Sequence, residues 1–210
     1  MIYEGQIIKN IVFDLGGVIL NIDYQLPVRA FERLGIQNFH HYFSKASQQA
    51  FLDEYETGKI SSEVFLSKVL SLLPYGTEKS RVIDAWNSIL LDLPEERLYL
   101  LNRAAQNHRI FLLSNTNQLH IDCFEQYLQK QYNIHQWESH FEKVYYSYRI
   151  GMRKPDLEIF QHVLNDAGLN PSETLFIDDS IQHIQGARQC GIISHHLDDS
   201  DLIAFLSDKI

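Results

Sequence analysis

Cysteine is scarce in this chain of 210 residues. There are two, Cys123 and Cys190, far apart and without C-x-x-C spacing. That excludes a disulfide framework and a cysteine-based structural zinc site, and it points to a reducing compartment. Positive charge is also short, with 18 Lys and Arg against 27 Asp and Glu for a net charge of −9. Such a balance opposes general affinity for a nucleic-acid backbone. No hydrophobic run approaches the ~18 residues that span a bilayer. The first residues carry no basic leader ahead of an apolar stretch, and Asp14 soon interrupts them. The expectation is a cytoplasmic chain with no membrane and no nucleic-acid partner; nothing in the sequence speaks to oligomeric state.

What is present is ordinary globular material, 45% hydrophobic and 21% charged, enough for one core or for one core with an inserted subdomain. Short apolar runs rich in β-branched and aromatic residues predict strands at 7–13, 109–113, 143–147, 174–177 and 192–196. Helical patterns separate them. Phe160, Val163, Leu164 and Ala167 fall at i, i+3, i+4 and i+7, with Pro155 near the start and Gly168 past the end. The alternation predicts an α/β fold, a parallel sheet with helices on both faces. From about residue 22 to 95 only helical patterns appear, with an apolar stripe at Leu66, Val69, Leu70 and Leu73 and breaks at Gly58, Pro74-Tyr75-Gly76 and Pro94. An all-helical insertion there leaves and returns near Asp14, where it can act as a lid.

Four signals sit at predicted strand ends, where open α/β sheets place ligands. Asp14 ends Ile11-Val12-Phe13; Ser114-Asn115-Thr116-Asn117 follow the second run; Lys154 precedes a helix; and Asp178-Asp179-Ser180 follow Leu175-Phe176-Ile177. Taken alone, Asp14 or the Asp178 pair reads as a helix cap and Lys154 as a solvated charge. Together they read differently. Adjacent acids near a third acid repel unless a cation joins them. Carboxylate oxygens with room for water suit Mg²⁺, which takes one or two protein carboxylates plus phosphate oxygens. The set fits phosphoryl transfer through an aspartyl intermediate on Asp14, with Mg²⁺ and Lys154 offsetting charge.

The segments FDLGGVIL, LLSNTN, GMRKP and FIDDS, in that order, resemble the four motifs of the haloacid dehalogenase (HAD) superfamily, most of whose members are Mg²⁺-dependent phosphatases. The likeness is closest to bacterial sugar-phosphate phosphatases of the α-glucose-1-phosphate phosphatase type; the phosphatase domain of soluble epoxide hydrolase is a more distant one. The resemblance implies a Rossmann-like HAD core over 1–21 and 96–210, a helical cap over 22–95, and hydrolysis of a small phosphorylated metabolite such as a sugar phosphate. By position, Asp14 is the nucleophile and a Mg²⁺ ligand, and Gly16 a ligand through its backbone carbonyl. Ser114 and Asn115 bind the transferring phosphate, and Lys154 stabilises its charge. Asp179 ligates the metal directly, while Asp178 acts through water or by supporting the direct ligands. At position 16 the wider family carries a second Asp, the general acid and base, worth ~10²–10⁴-fold. This chain has Gly16. Asp23, bound water or the substrate itself are the candidate proton sources. Two alternatives stay open: a metal-independent hydrolytic dehalogenase, and a phosphate-ligand binder that lost turnover with the acid at position 16.

Several other residues carry weaker expectations. Histidines at His40-His41, His135, His140 and His195-His196 lack zinc-ligand spacing and read as surface or packed residues. Phe51, Tyr55, Phe65 and Trp86 read as packing within the insertion. Glu54 and Glu56 shape a pocket or end a solvated helix, Arg153 is a surface charge with phosphate binding as the lesser alternative, and Cys190 is a small core residue.

Overall fold

The computed structural model of the chain describes residues 1–36, 39, 50–198 and 201–210. The pair His40-His41 lies outside them. The first two strands, β1 (Ile2–Tyr3) and β2 (Gln6–Ile7), form a small antiparallel hairpin. The main sheet follows: β3 (Asn10–Phe13), β4 (Arg109–Ser114), β5 (Lys143–Tyr146), β6 (Thr174–Asp178) and β7 (Ile193–His196), in the order β5-β4-β3-β6-β7. All its pairings are parallel. The α/β architecture expected from the sequence is therefore the one found.

One strand differs. The run 7–13 is not continuous, because Glu4 and Gly5 both take positive φ and fold Gln6-Ile7 back onto Ile2-Tyr3. Two left-handed residues in a two-residue loop make the turn whose twist matches a hairpin. The buried strand begins only at Asn10.

Every residue of β3 is buried, and the two-residue period of a strand sends them to opposite faces. Ile11 and Phe13 join one apolar cluster, with Ile110, Leu112, Leu175 and Ile177 from the neighbouring strands. Val12 joins the other, with Phe111, Leu113 and Phe176. Helices α5 (Glu95–Asn107), α6 (Gln118–Tyr132) and α10 (Leu202–Leu206) contribute to the first cluster, and α8 (Leu157–Ala167) and α9 (Ile181–Gln189) to the second. Gly168 closes α8 in the left-handed conformation at φ 61°. The shared apolar character of β3, β4 and β6 is thus a consequence of two-sided burial.

Between β3 and α5 the described residues form helices and no sheet strand: α1 (Gln25–Leu34), α2 (Ala50–Glu56), α3 (Ser62–Ser71) and α4 (Lys79–Asn87). They have their own apolar cluster, in which Phe31, Phe65, Val69, Val82 and Trp86 are almost wholly buried. Tyr55 stacks on Phe65 with ring centroids 4.2 Å apart. The outgoing and returning chains run side by side, joined by Asn21 N–H to Asp92 O, Leu91 N–H to Asn21 O and Asp23 N–H to Ile89 O. Among the described residues no helix is long and apolar enough to cross a membrane.

The turn after α2 rests on α7 (Ser147–Ile150) of the sheet region. Gly58 has φ +66°, and a Cβ there would collide with the Tyr148 carbonyl oxygen. Gly76 is also left-handed, at φ +87°, but has open space around it. Gly76→Ala is therefore expected to lose only the conformational cost of about 1–2 kcal/mol. Gly58→Ala is expected to lose roughly 2 kcal/mol more through overlap, as read from urea denaturation midpoints of the two variants.

Candidate active site

The parallel register sets the site. Phe13 lies opposite Ile177 on one side and Leu112 on the other, so Asp14 comes level with Asp178 and with the end of β4. The Asp14 N–H donates to the Ile177 carbonyl at 2.9 Å, and the Leu15 N–H donates to Asp14 Oδ1 at 2.7 Å. The chain then turns sharply, with Gly17 N–H bonded to Leu20 O at 2.8 Å. Gly17 has φ +77°, and a side chain on it would strike the Asp179 carboxylate. Glycine at this position is what lets Asp179 approach the turn.

Lys154 is completely buried. Its Nζ lies 2.9 Å from Asp14 Oδ1 and 2.6 Å from Asp178 Oδ2, and 5.3 Å from the centre of the Phe176 ring. Asn115 fixes the backbone that carries it. The Asn115 amide donates to the Lys154 carbonyl at 2.8 Å and accepts the Lys154 N–H at 2.9 Å. Asp178 also accepts the Ser180 N–H at 2.8 Å and contacts His183 Nδ1 at 2.9 Å.

These contacts divide the titration of the three groups. Burial pushes the Asp14 carboxyl well above the usual carboxylate range, and Asp178 and Asp179 add to the rise that Lys154 opposes. Burial acts the same way on Asp178, but the Lys154 ammonium and His183 outweigh it and hold Asp178 low. For Lys154, burial acts to lower the value, while Asp14 and Asp178 together keep it above the ordinary lysine value. His183 is lowered by burial. Lys154 contacts two of the carboxyl groups, Asp14 and Asp178, and Asp179 lies near enough to raise Asp14, so acidic groups outnumber the one ammonium. The chemistry of the donors fits a hard divalent cation. Asp14, Asp178 and His183 each present a ligand atom, all within 4.8 Å of one another, and Asp179 faces the adjoining cavity.

That cavity, about 100 Å³, opens over Asp14. Of the residues to which the sequence assigned nucleophile, metal or phosphate roles by position, Asp14, Gly16, Ser114, Asn115 and Asp179 line it. Lys154 and Asp178 lie behind its floor, both wholly buried. The segment between β3 and α5 supplies Ile22, Tyr24, Glu56, Ile89 and Leu90 to its lining. Asp23 does not line it; its carboxylate accepts the Gln25 N–H at the start of α1 at 2.7 Å. Arg153 does line it, yet its guanidinium is ion-paired to Asp53 and Glu56 of α2.

A family model for haloacid dehalogenase-like hydrolases matches residues 8–191. The chain belongs to that family. Among its relatives is a D-ribitol-5-phosphate phosphatase of Bacteroides thetaiotaomicron, 31% identical over 186 residues that span 88% of this chain and 89% of that protein. A HAD-family enzyme of the same species, solved with magnesium and inorganic phosphate, is 35% identical with a TM-score of 0.78, covering 90% of this chain and 93% of that one. A HAD-like hydrolase of Porphyromonas gingivalis is 28% identical with a TM-score of 0.86, covering 97% of each chain.

Against this HAD background, two histidines stand out that sequence reading passed over. His183 belongs to the candidate ligand group with Asp14 and Asp178. The available signal was its place one turn into α9, five residues after Asp178. His120 lines the cavity within a network that docks the insertion on α6. Asn117 Oδ1 accepts both the His120 N–H and Trp86 Nε1–H, at 3.1 and 3.2 Å. The Asn117 amide nitrogen therefore faces His120 Nδ1 at 3.0 Å, leaving Nε2–H to donate to the Trp86 carbonyl at 3.3 Å. His135, His140, His195 and His196 bond to other protein groups instead.

Protonating His120 would set a second N–H against the Asn117 amide donor, and burial lowers its pKa from 6.5 to about 4. Between those values the unfolded chain binds more protons than the folded one, so stability falls as pH drops through that window. The expected loss is roughly 3 kcal/mol. In His120→Phe, which keeps a ring against Trp86 but cannot titrate, the difference in melting temperature between pH 7 and pH 4 is expected to shrink accordingly.

Proposed function

We propose that this HAD-family chain is a Mg²⁺-dependent phosphomonoesterase acting on a small phosphorylated metabolite, with residues 1–21 and 96–210 as the catalytic core and 22–95 as its cap. The observation that carries the reading is the Asp14 carboxylate lining a cavity and touching a fully buried Lys154. Asp14 thus combines a fixed nucleophilic oxygen with an adjacent buried ammonium at the end of β3. The magnesium and phosphate bound by the B. thetaiotaomicron enzyme, and the polyol phosphate named for the other relative, support the same reading.

In this reading Asp14, the Gly16 carbonyl and Asp179 would hold Mg²⁺, with Asp178 supporting them from behind. When bound, Mg²⁺ neutralises the phosphoryl oxygens and the excess charge of the site. An Asp14 oxygen attacks phosphorus, forming an acyl phosphate as the P–O bond to the alcohol breaks. Lys154 stabilises the charge that develops, and the Ser114 hydroxyl binds a phosphoryl oxygen. Asn115 contributes by holding Lys154 in place, since its amide is engaged at both ends. Water then cleaves the acyl phosphate and regenerates Asp14. The place an acid at position 16 would take is covered by Ile22, whose Cδ1 lies 3.1 Å from where a Cβ would stand. With Asp23 engaged at α1, the proton passes through water or a substrate hydroxyl.

The dehalogenase alternative is disfavoured by the same charges, because a haloacid brings a carboxylate toward three others. Phosphate release from a panel of phosphomonoesters is expected to require Mg²⁺ and to fall by roughly 10³-fold or more in Asp14→Asn. Halide release that persists with a chelator present would favour the alternative. Saturable binding without turnover would favour the non-catalytic one.

A further inference from the structure

His183 holds a place that the phosphoryl chemistry above leaves unused. It stands in the first turn of α9, and its ring lines the cavity together with Asp14 and Asp179. Nδ1 lies 2.9 Å from Asp178 Oδ1 and 3.0 Å from Asp178 Oδ2. An ionised carboxylate only accepts hydrogen bonds, so Nδ1 carries the ring proton and the lone pair of the neutral ring falls on Nε2. Among the described residues Nε2 has no hydrogen-bond partner, and it reaches open space.

The ring is also fixed. Asp178 is completely buried, and the Ser180 N–H at 2.8 Å and the Lys154 ammonium at 2.6 Å hold its carboxylate in place. A histidine that gives one ring N–H to an anchored carboxylate and turns its other nitrogen to a cavity has the arrangement of a metal ligand with its supporting acid. Ligand atoms of His183, Asp14 and Asp178 lie within 4.8 Å of one another. Lys154 Nζ already bridges Asp14 Oδ1 and Asp178 Oδ2, which leaves no place for a cation between those two oxygens. The cavity side remains, where Asp14, Asp179 and His183 all open.

We infer that His183 supplies a nitrogen ligand, through Nε2, to the divalent cation held by Asp14 and Asp179, and that the site therefore favours Co²⁺ over Mg²⁺. The inference rests on the phosphatase reading above, which places a divalent cation at Asp14. Imidazole nitrogen suits the later first-row metals, whereas Mg²⁺ keeps oxygen ligands and water. Mg²⁺ is held by the carboxylates with little help from the ring, and Co²⁺ gains the nitrogen as well. Asp178 is a positioning residue in this scheme, since it sets the tautomer and the direction of the ring.

The test uses the full chain freed of metal and without substrate. Co²⁺ and Mg²⁺ are titrated separately and followed by melting temperature, and proton NMR of the equimolar Co²⁺ protein reports an imidazole N–H shifted by the metal. Wild-type protein is expected to bind Co²⁺ about 100-fold more tightly than Mg²⁺, with an exchangeable proton far outside the diamagnetic range. In His183→Asn the Co²⁺ affinity is expected to fall about tenfold or more, the Mg²⁺ affinity to change by less than about threefold, and the shifted proton to vanish. His183→Gln is the second variant should the first fail to fold. A Co²⁺ protein of wild-type sequence without a shifted N–H overturns the inference. So does a shifted N–H that survives in the variant, or an equal loss of affinity for both cations. Hydrolysis of 4-nitrophenyl phosphate with Mg²⁺ alongside any of these results leaves the phosphatase reading standing. If the wild-type protein binds neither cation, that reading falls and the inference falls with it.

Discussion

A lysine ammonium wholly removed from water is the constraint on which the rest of the site depends. Lys154 can be charged there only because Asp14 and Asp178 meet it from two adjacent parallel strands. Removing either partner leaves a buried charge uncompensated, which is costly in a way that a surface ion pair is not. The geometry is over-determined. The β3–β6 register brings the two carboxylates level, Asn115 holds the Lys154 backbone at both its amide and its carbonyl, and Ser180 and His183 complete the contacts of Asp178. Asp14 is consequently aimed before any ligand binds, the kind of preorganisation that stabilises developing charge most effectively.

The helical insertion extends this logic to the far side of the cavity. It is tied to the sheet region by a polar network, in which Trp86, Asn117 and His120 satisfy one another and the Leu119 N–H donates to Tyr55 Oη at 3.2 Å. Buried networks of this kind specify one arrangement, because a half-satisfied alternative strands a donor or an acceptor. Helix α2 is thereby held against the loop carrying Arg153 and Lys154. The insertion and the sheet ends thus line one cavity together, with Asp14 on it.

How much of this was legible in the sequence depends on range. Asp14 and Asp178 could be read because each ends a short apolar run, and a strand buried on both faces leaves no other pattern. Helix α8 was legible from its period and from Gly168. Lys154 was marked by its place before a helix, but its complete burial was not, since a lysine with no visible partner reads as solvated. Its partners lie far away in sequence and meet it only through sheet register. The same holds for His120, whose protonation is set by Asn117 and by Trp86 on a different part of the fold. Asp23 was the wrong neighbour: a local Asx turn engages its carboxylate, and Tyr24 faces the cavity instead. Strand 7–13 failed for a local reason, the Glu4-Gly5 turn, which two residues without an Asn-Gly signature do not advertise.

The central claim is that Asp14, Asp178 and Asp179, gathered beside one buried ammonium, form a site for a divalent cation, with Asp14 among its ligands. Titration of Mg²⁺ into wild-type protein and Asp14→Asn, followed by melting temperature at neutral pH without substrate, tests it most directly. A saturable rise for the wild-type protein that is largely lost in Asp14→Asn is the predicted result. A melting temperature indifferent to Mg²⁺, or a rise of the same size in both proteins, would contradict it.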